Sequence, residues 1–160
     1  MPSITPSLWF NDNLEEAAQF YTSVFPNSSI EQMNRYTEAG PGNPGDVASG
    51  TFVLDGKQFM GINGGPQFQF SEAVSFMVSC KDQDEVDHYW DRLVEGGGEH
   101  GPCGWLKDRF GVSWQVIPDA LPRLLDDPDP EKAQRVMAAM MQMGKLEIAE
   151  LERAAEAVPA

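Results

Sequence analysis

The segments Asn13–Tyr21 (NLEEAAQFY) and Asp82–Trp90 (DQDEVDHYW) decide the fold, because they repeat one helical pattern 69 residues apart. Each opens on a residue that caps helices, and a glutamate follows three positions later, as in a capping box. Apolar residues then recur at helical spacing, until Pro26 ends the first run and Gly96–Gly98 ends the second. The repeat predicts two amphipathic helices in like surroundings.

A strand precedes each helix and further strands follow it. The preceding strands are predicted over Ile4–Phe10 and Val74–Cys80. The following ones are predicted over Ser29–Tyr36, Gly50–Leu54, Lys57–Asn63, Cys103–Leu106 and Val112–Ile117. Asp55-Gly56 suits a hairpin turn in which both residues have positive φ. This order, occurring twice, predicts two modules over about 4–65 and 74–118 whose sheets pack together.

Residues 1–120 are therefore predicted to form one doubled domain, and residues 121–160 a helical extension. Asp129-Pro130 suits a helix cap followed by the first helical position. Two helices with Gly144 between them are indicated by apolar residues at helical spacing, namely Ala133, Val136, Met137, Met140, Met141, Ile148, Leu151 and Ala155.

The composition indicates a globular protein that does not bind nucleic acid or membranes. The chain has 160 residues, of which 41% are hydrophobic and 22% charged, a mix typical of globular domains. Its net charge of −14 disfavours nucleic acid and anionic membranes as partners. Two cysteines make no disulfide framework, and neither a membrane-length apolar run nor a signal peptide is apparent. We expect a cytoplasmic protein.

Several segments resemble the vicinal oxygen chelate superfamily, which includes glyoxalase, bleomycin resistance proteins and dioxygenases. Within it the chain is similar to the PhnB-like branch, often labelled 3-demethylubiquinone-9 3-methyltransferase-like. The resemblance rests on Leu8–Phe10, Ala17–Tyr21, Asn63–Pro66, Ser75-Phe76, Cys103–Asp108, Phe110–Gln115 and Met140–Lys145. It implies an α+β fold in which paired βαβββ modules form a curled mixed sheet around a cleft, usually within a homodimer.

Many members of the superfamily hold a divalent metal through four positions, two in each module. Carried over, these positions fall near Thr5–Ser7, near Met60–Asn63, at Ser75 and at Gln115. Only Gln115 is of a residue type that the family uses, so we expect neither a superfamily-type metal site nor another cofactor. A nucleotide-binding turn would join a strand to a helix, whereas Gly96–Gly98 follows a helix, which argues against a methyltransferase.

Five residues are the candidates for ligand binding. The resemblance implies that Gln115 faces the cleft, and alternation then places Trp114 on the opposite face for core or dimer packing. Trp105 either stacks on a planar ligand or fills the core, and Asn63 either caps a turn or reaches the cleft. Asp108 either orients the cleft or opens a turn. The fifth candidate is Ser75.

Cys103 is the one candidate for catalysis, because His100 lies three residues away and a thiolate near an imidazole is a nucleophile. The alternative is a small buried hydrophobic residue on an inner strand.

The leading hypothesis is a cleft that binds a small organic molecule without a tightly held metal; whether it catalyses a reaction is left open. A metal-dependent lyase, isomerase or dioxygenase is one alternative. A non-enzymatic protein that sequesters its ligand is the other. The residues do not identify the ligand.

Overall fold

The computed structural model describes residues 1–157 and divides into two compact units, Met1–Phe70 and a second that begins at Ser71. Each unit contains one βαβββ module with its own four-stranded mixed sheet, and the second also carries the C-terminal helices. This confirms the predicted α+β fold of paired modules followed by helices.

The first unit comprises β1 (Ser7–Phe10), α1 (Leu14–Val24), β2 (Ser29–Arg35), β3 (Val47–Leu54) and β4 (Lys57–Asn63). Its strand order is β1-β4-β3-β2, in which β1 and β4 are parallel and the other pairs are antiparallel. The predicted hairpin is confirmed, since Asp55 and Gly56 both have positive φ, at 48° and 75°. The first strand is three residues shorter than predicted, because Ile4 is 98% exposed and lies outside the sheet.

The apolar face of α1 packs on this sheet. Leu14 and Tyr21 are fully buried, and Tyr21 stacks on Phe52 of β3 with ring centroids 6.3 Å apart. Gly61 of β4 lets the helix approach closely, because a Cβ there would lie 2.3 Å from Leu14 Cδ1. A larger residue at this position would force the Leu14 side chain to move.

The predicted side-chain cap of α1 by Asn13 is wrong. The Asn13 side chain makes no capping hydrogen bond. Instead Asn63, the last residue of β4, accepts a hydrogen bond at Oδ1 from the Leu14 N–H at 3.0 Å. The helix start is thus stabilised from a strand 49 residues away.

The second unit begins with β5 (Ser75–Cys80), α2 (Gln83–Arg92), β6 (Glu99–His100), β7 (Trp105–Lys107) and β8 (Ser113–Pro118). The strand order β5-β8-β7-β6 repeats that of the first sheet. Asp82 caps α2 as predicted, with Oδ1 accepting from the Glu85 N–H at 2.9 Å. The sequence did not indicate β6, which is two polar residues long.

Three helices follow, which are α3 (Ala120–Leu125), α4 (Pro130–Met140) and α5 (Ile148–Glu156). The last two were predicted and α3 was not, since six residues containing Pro122 make a weak helical pattern. Asp129 caps α4, as predicted. The helices enclose an apolar cluster of Ile117, Leu121, Val136, Leu146, Leu151 and Ala155. Over residues 1–157, none of the helices has the length and apolar character needed to cross a bilayer.

Candidate binding pocket on the second sheet

The second sheet presents one face to α2, and its opposite face, named here the open face, is covered by the C-terminal helices at Ile117. Trp114, Leu106 and Cys80 lie on the helix-facing side and are at most 4% exposed. The residues of the open face follow from the register, because cross-strand partners share a face and residues two apart on one strand do too. Those residues are Ser75, Met77, Ser79, Glu99, Trp105, Lys107, Ser113, Gln115 and Ile117.

A pocket of about 450 Å³ is lined in part by residues of the open face, namely Glu99, Trp105, Lys107 and Ser113. Pockets of this size accommodate small organic molecules. Its lining contains an aromatic ring, a cation, two carboxylates and a hydroxyl, from Glu72, Glu99, His100, Gly101, Pro102, Trp105, Leu106, Lys107 and Ser113. The pocket lies entirely within the second unit.

Ser113 is the most informative residue of the lining. It is only 1% exposed, yet its Oγ has no hydrogen-bond partner. Among the buried polar side-chain atoms of residues 1–157, it alone lacks one. A buried hydroxyl without a partner costs about 1–3 kcal/mol, so this group favours a bound water, ion or ligand that hydrogen-bonds to it. A molecule in the pocket would complete the bonding of this hydroxyl.

The pocket lining carries more negative than positive side-chain charge. The Lys107 Nζ forms an ion pair and hydrogen bond with Glu72 Oε1, which lowers the pKa of Glu72 and raises the pKa of Lys107. Glu99 faces Lys107 in the register of β6 and β7 and also favours the charged lysine. In the part of the chain that is described, Glu99 has no ion-pair partner. The lining therefore carries two carboxylates against one ammonium.

Two of the predicted binding residues meet on the open face. The Gln115 Nε2 donates a hydrogen bond to Ser75 Oγ at 2.9 Å. Gln115 is also the cross-strand partner of Trp105, so the face expected for Gln115 is shared with Trp105, and Trp114 lies on the opposite one. Neither Ser75 nor Gln115 lines the pocket, whereas Trp105 does.

Asp108 has a structural role in the turn before β8. It is 3% exposed, and Oδ1 accepts from the N–H groups of Phe110 and Val112 at 2.9 and 3.0 Å. Oδ2 accepts from the Trp114 Nε1–H at 2.9 Å. Three donors thus fix the carboxylate in the loop, and it is not part of the pocket lining. Of the two interpretations of Asp108, the turn is the one that these contacts support.

Asn63 belongs to the first unit and not to this pocket. Besides capping α1 through Oδ1, it donates from Nδ2 to the Val47 carbonyl at 3.1 Å. It lines a separate polar cavity of about 710 Å³, together with charged residues such as Arg35 and Glu15, which form an ion pair at 2.7 Å. Both atoms of its amide are therefore engaged in holding the fold.

Cys103 lies in the loop before β7 rather than on a strand, with a positive φ of 58°. The predicted strand is thus wrong at its start, and Cys103 is half-exposed rather than buried as an inner-strand residue. Its Sγ lies 3.9 Å from Met141 Sδ. The His100 ring stacks on Trp90 and donates its Nε2–H to the Trp90 carbonyl at 2.8 Å. Within residues 1–157 no hydrogen bond joins Cys103 to His100, so the contacts supply no activated thiolate.

The residues at the superfamily's metal-binding positions offer poor donor atoms for a metal ion. Ser75 and Gln115 hydrogen-bond to each other, and Asn63 uses both amide atoms in the fold. Hydroxyl and amide groups are weak ligands for the transition metals concerned. The described residues also contain no group of three or more His, Cys, Asp or Glu side chains placed to hold an ion. These residues do not fit the metal site of the superfamily.

Four residues that line the pocket were not predicted from the sequence, namely Ser113, Lys107, Glu99 and Glu72. Ser113 could have been found, because it lies two positions before Gln115 on the same strand and so shares its face. Lys107 stands in the same relation to Trp105. Glu72 and Glu99 carried no such signal, since they lie in a loop and in a strand that the pattern did not indicate.

Comparison with known proteins places this geometry in context. The family model described as 3-demethylubiquinone-9 3-methyltransferase matches residues 2–117. The PhnB protein from Bacillus cereus is 37% identical over 73% of this chain and 99% of its own, with a TM-score of 0.65. A protein from Pseudomonas aeruginosa is 22% identical over 74% of this chain and 98% of its own, with a TM-score of 0.61.

The fold is also that of a fosfomycin resistance protein, FosX from Mesorhizobium loti. This protein is 13% identical over 72% of this chain and 90% of its own, with a TM-score of 0.54. A search of the curated proteins finds no match.

Proposed function

Because the chain belongs to the family described as 3-demethylubiquinone-9 3-methyltransferase, with PhnB-like relatives and a vicinal oxygen chelate fold, we propose that it binds a small organic molecule. The proposed site is the pocket on the open face of the second sheet, lined by Trp105 and Ser113. Binding is proposed without a reaction step, since the lining contains no activated nucleophile.

The observation that carries this proposal is the buried Ser113 Oγ without a hydrogen-bond partner. Alanine here would avoid the cost of burying an unbonded hydroxyl, whereas serine keeps a hydrogen-bonding group available to a ligand. Trp105 adds a flat apolar surface to the same pocket, which suits a planar or partly apolar ligand. The proposed ligand therefore contacts an aromatic ring and a hydroxyl together.

The test is the variant Ser113→Ala, examined for both stability and binding. Binding is measured by saturation-transfer NMR with a set of small aromatic fragments. We expect the variant to be as stable as the wild type or up to about 1 kcal/mol more stable, while fragments that bind the wild type bind it more weakly. The matched control is Ser79→Ala, because Ser79 is exposed on the same face and does not line the pocket.

The proposal is contradicted if no fragment binds the wild type, or if Ser113→Ala and Ser79→Ala affect binding equally. A stability loss in Ser113→Ala would also contradict it, since the hydroxyl would then have a role in the fold.

A methyltransferase reaction is not proposed, although the family description contains that word. Gly96–Gly98 joins α2 to β6, so it runs from a helix to a strand, the reverse of a nucleotide-binding turn. Gly96 and Gly97 have positive φ, at 83° and 133°, and lie in the turn that follows the helix, whose C-cap is Leu93 rather than the predicted glycines. The glycines therefore have a structural reason for their position.

A cytoplasmic homodimer is proposed as the form in which the chain binds its ligand. Met77, on the open face beside Gln115, is 61% exposed, and Val74 just before β5 is 67% exposed. Burying such side chains against a second copy would be favourable. Native mass spectrometry of the purified chain tests this, with a dimer of bare chains as the expected result. A monomer would contradict the dimer, and a divalent ion retained by each chain would contradict the metal-free site.

A further inference from the structure

The charge of the pocket carries an inference about the class of its ligand. Glu72 is neutralised by Lys107, whereas Glu99 has no ion-pair partner among the described residues. The lining therefore has an excess of one negative charge, and the chain as a whole carries −14. An anionic ligand would meet repulsion from Glu99 and from this overall field.

The ring of Trp105 also favours a cationic ligand. An aromatic ring presents a negative face, which attracts cations that have few bound water molecules, such as alkylated or aromatic ammonium groups. Trp105 and Glu99 line one pocket, as strands β6 and β7 bring them to the open face together. A ring with a nearby carboxylate favours an organic cation over a neutral molecule of the same shape.

Ser113 shows that this is more than an acidic surface. The residue is 1% exposed, and its hydroxyl lacks a hydrogen-bond partner and lines the same pocket. This observation does not depend on the charges of the lining. Ser113 is paired across the strands with Lys107, so its side chain lies on the face of the pocket. The hydroxyl can accept a hydrogen bond from an N–H group or donate one to an oxygen.

We propose that the pocket selects organic cations that carry a flat ring, with Trp105 contacting the ring, Glu99 facing the positive charge and Ser113 hydrogen-bonding to the ligand. This rests on the proposed function, and it adds the ligand class and the specificity-determining residue Glu99.

The experiment compares three bicyclic aromatic probes of similar size on the full chain by isothermal titration calorimetry in low salt. The probes are 6-amino-1-methylquinolinium, which is cationic, 6-aminoquinoline, which is neutral at about pH 8, and naphthalene-2-carboxylate, which is anionic. The amino N–H groups of the first two and the carboxylate of the third can each hydrogen-bond to the Ser113 hydroxyl. We expect 6-amino-1-methylquinolinium to bind about tenfold more tightly than the other two. Added salt should reduce this preference, because it screens the charge of Glu99.

The variant Glu99→Gln assigns the preference to one residue. It should weaken binding of 6-amino-1-methylquinolinium about fivefold and leave binding of 6-aminoquinoline nearly unchanged. The matched control is Glu156→Gln, which changes the net charge equally at an exposed position at the end of α5. This control should leave the affinity of all three probes nearly unchanged.

The outcomes separate the two proposals. If the neutral or anionic probe binds as tightly as the cation, and Ser113→Ala weakens it, the ligand class is wrong while the binding function stands. If Glu156→Gln acts as strongly as Glu99→Gln, the preference belongs to the net charge and the role of Glu99 is overturned. If no probe binds, the cation proposal is overturned, and the fragment screen then decides whether the pocket binds anything.

Discussion

Asn63 Oδ1 accepts a hydrogen bond from the Leu14 N–H at 3.0 Å, so the last residue of a strand caps a helix 49 residues earlier in the chain. The first N–H groups of a helix have no partner within it and need one from elsewhere. Asn13, directly before the helix, does not supply a side-chain cap. The parallel pair β1–β4 makes this possible, because it places Asn63 opposite Phe10, just before the helix begins.

Replacing Asn63 with alanine should destabilise the protein by about 1–2 kcal/mol, since the cap and the bond to the Val47 carbonyl are both lost. Urea-induced unfolding measures this loss. The variant Asn13→Ala is the control, because it removes the residue that local sequence rules favour as the cap. A larger loss for Asn13→Ala than for Asn63→Ala would contradict the assignment.

The two helix starts show what local sequence predicts and what it does not. Asp82 and Asn13 have the same pattern, and the cap was correctly predicted at Asp82 alone. By the repeat, the position of Asn63 corresponds to Ile117 in the second module, which has no polar group to offer. Helices and strands follow from local periodicity, but a partner at long range decided which cap forms, and a single sequence does not show that competition.

Replacing Asp108 with asparagine should destabilise the protein by about 1–3 kcal/mol. The carboxylate accepts three hydrogen bonds, and an amide of the same shape would direct an N–H group at one of those donors. Thermal unfolding measures the loss, and changed Trp114 fluorescence should accompany it. The control is Asp127→Asn, which alters a half-buried carboxylate that accepts a hydrogen bond from the Asp129 N–H. Equal losses in the two variants would show that the buried network adds nothing.

The two cysteines should differ sharply in reactivity. Burial, together with the nearby carboxylates of Glu85, Asp119 and Asp82, raises the pKa of Cys80 to about 12. Its reactive thiolate is therefore almost absent at about pH 8, whereas Cys103 is half-exposed in a loop. An aromatic disulfide reagent should label one thiol in the folded protein and two in denaturant.

The variants Cys103→Ser and Cys80→Ser assign the label. The folded Cys103→Ser protein should be unreactive, and the folded Cys80→Ser protein should react as the wild type does. Labelling of folded Cys103→Ser as fast as the wild type would contradict the burial of Cys80.

The residues of the pocket were harder to predict from the sequence than the helices and strands. Trp105 was a candidate because its residue type is conspicuous, whereas Ser113 drew no attention as a common small residue. Its significance depends on the absence of a partner, which only coordinates reveal. Asn63 and Asp108 were candidates by residue type, and the structure places their polar atoms in helix capping and in a turn.

Gln83 joins the C-terminal helices to the second module. Its Nε2 donates to the Leu146 carbonyl at 3.1 Å, and its Oε1 accepts from the Ile148 N–H at 2.8 Å. The variant Gln83→Ala should therefore lose about 1–2 kcal/mol of stability in urea-induced unfolding.

The variant Gln83→Ala should also destabilise the loop beside the pocket. The N–H groups of Cys103 and Gly104 donate to the carbonyls of Met143 and Gly144, each at 2.8 Å, so the segment that Gln83 anchors also holds this loop. In Gln83→Ala these two amides should exchange hydrogen faster. The control Gln142→Ala, at an exposed position, should stay within about 0.5 kcal/mol of the wild type. If Gln83→Ala leaves the exchange of Cys103 and Gly104 unchanged, the helices do not support the pocket through this anchor.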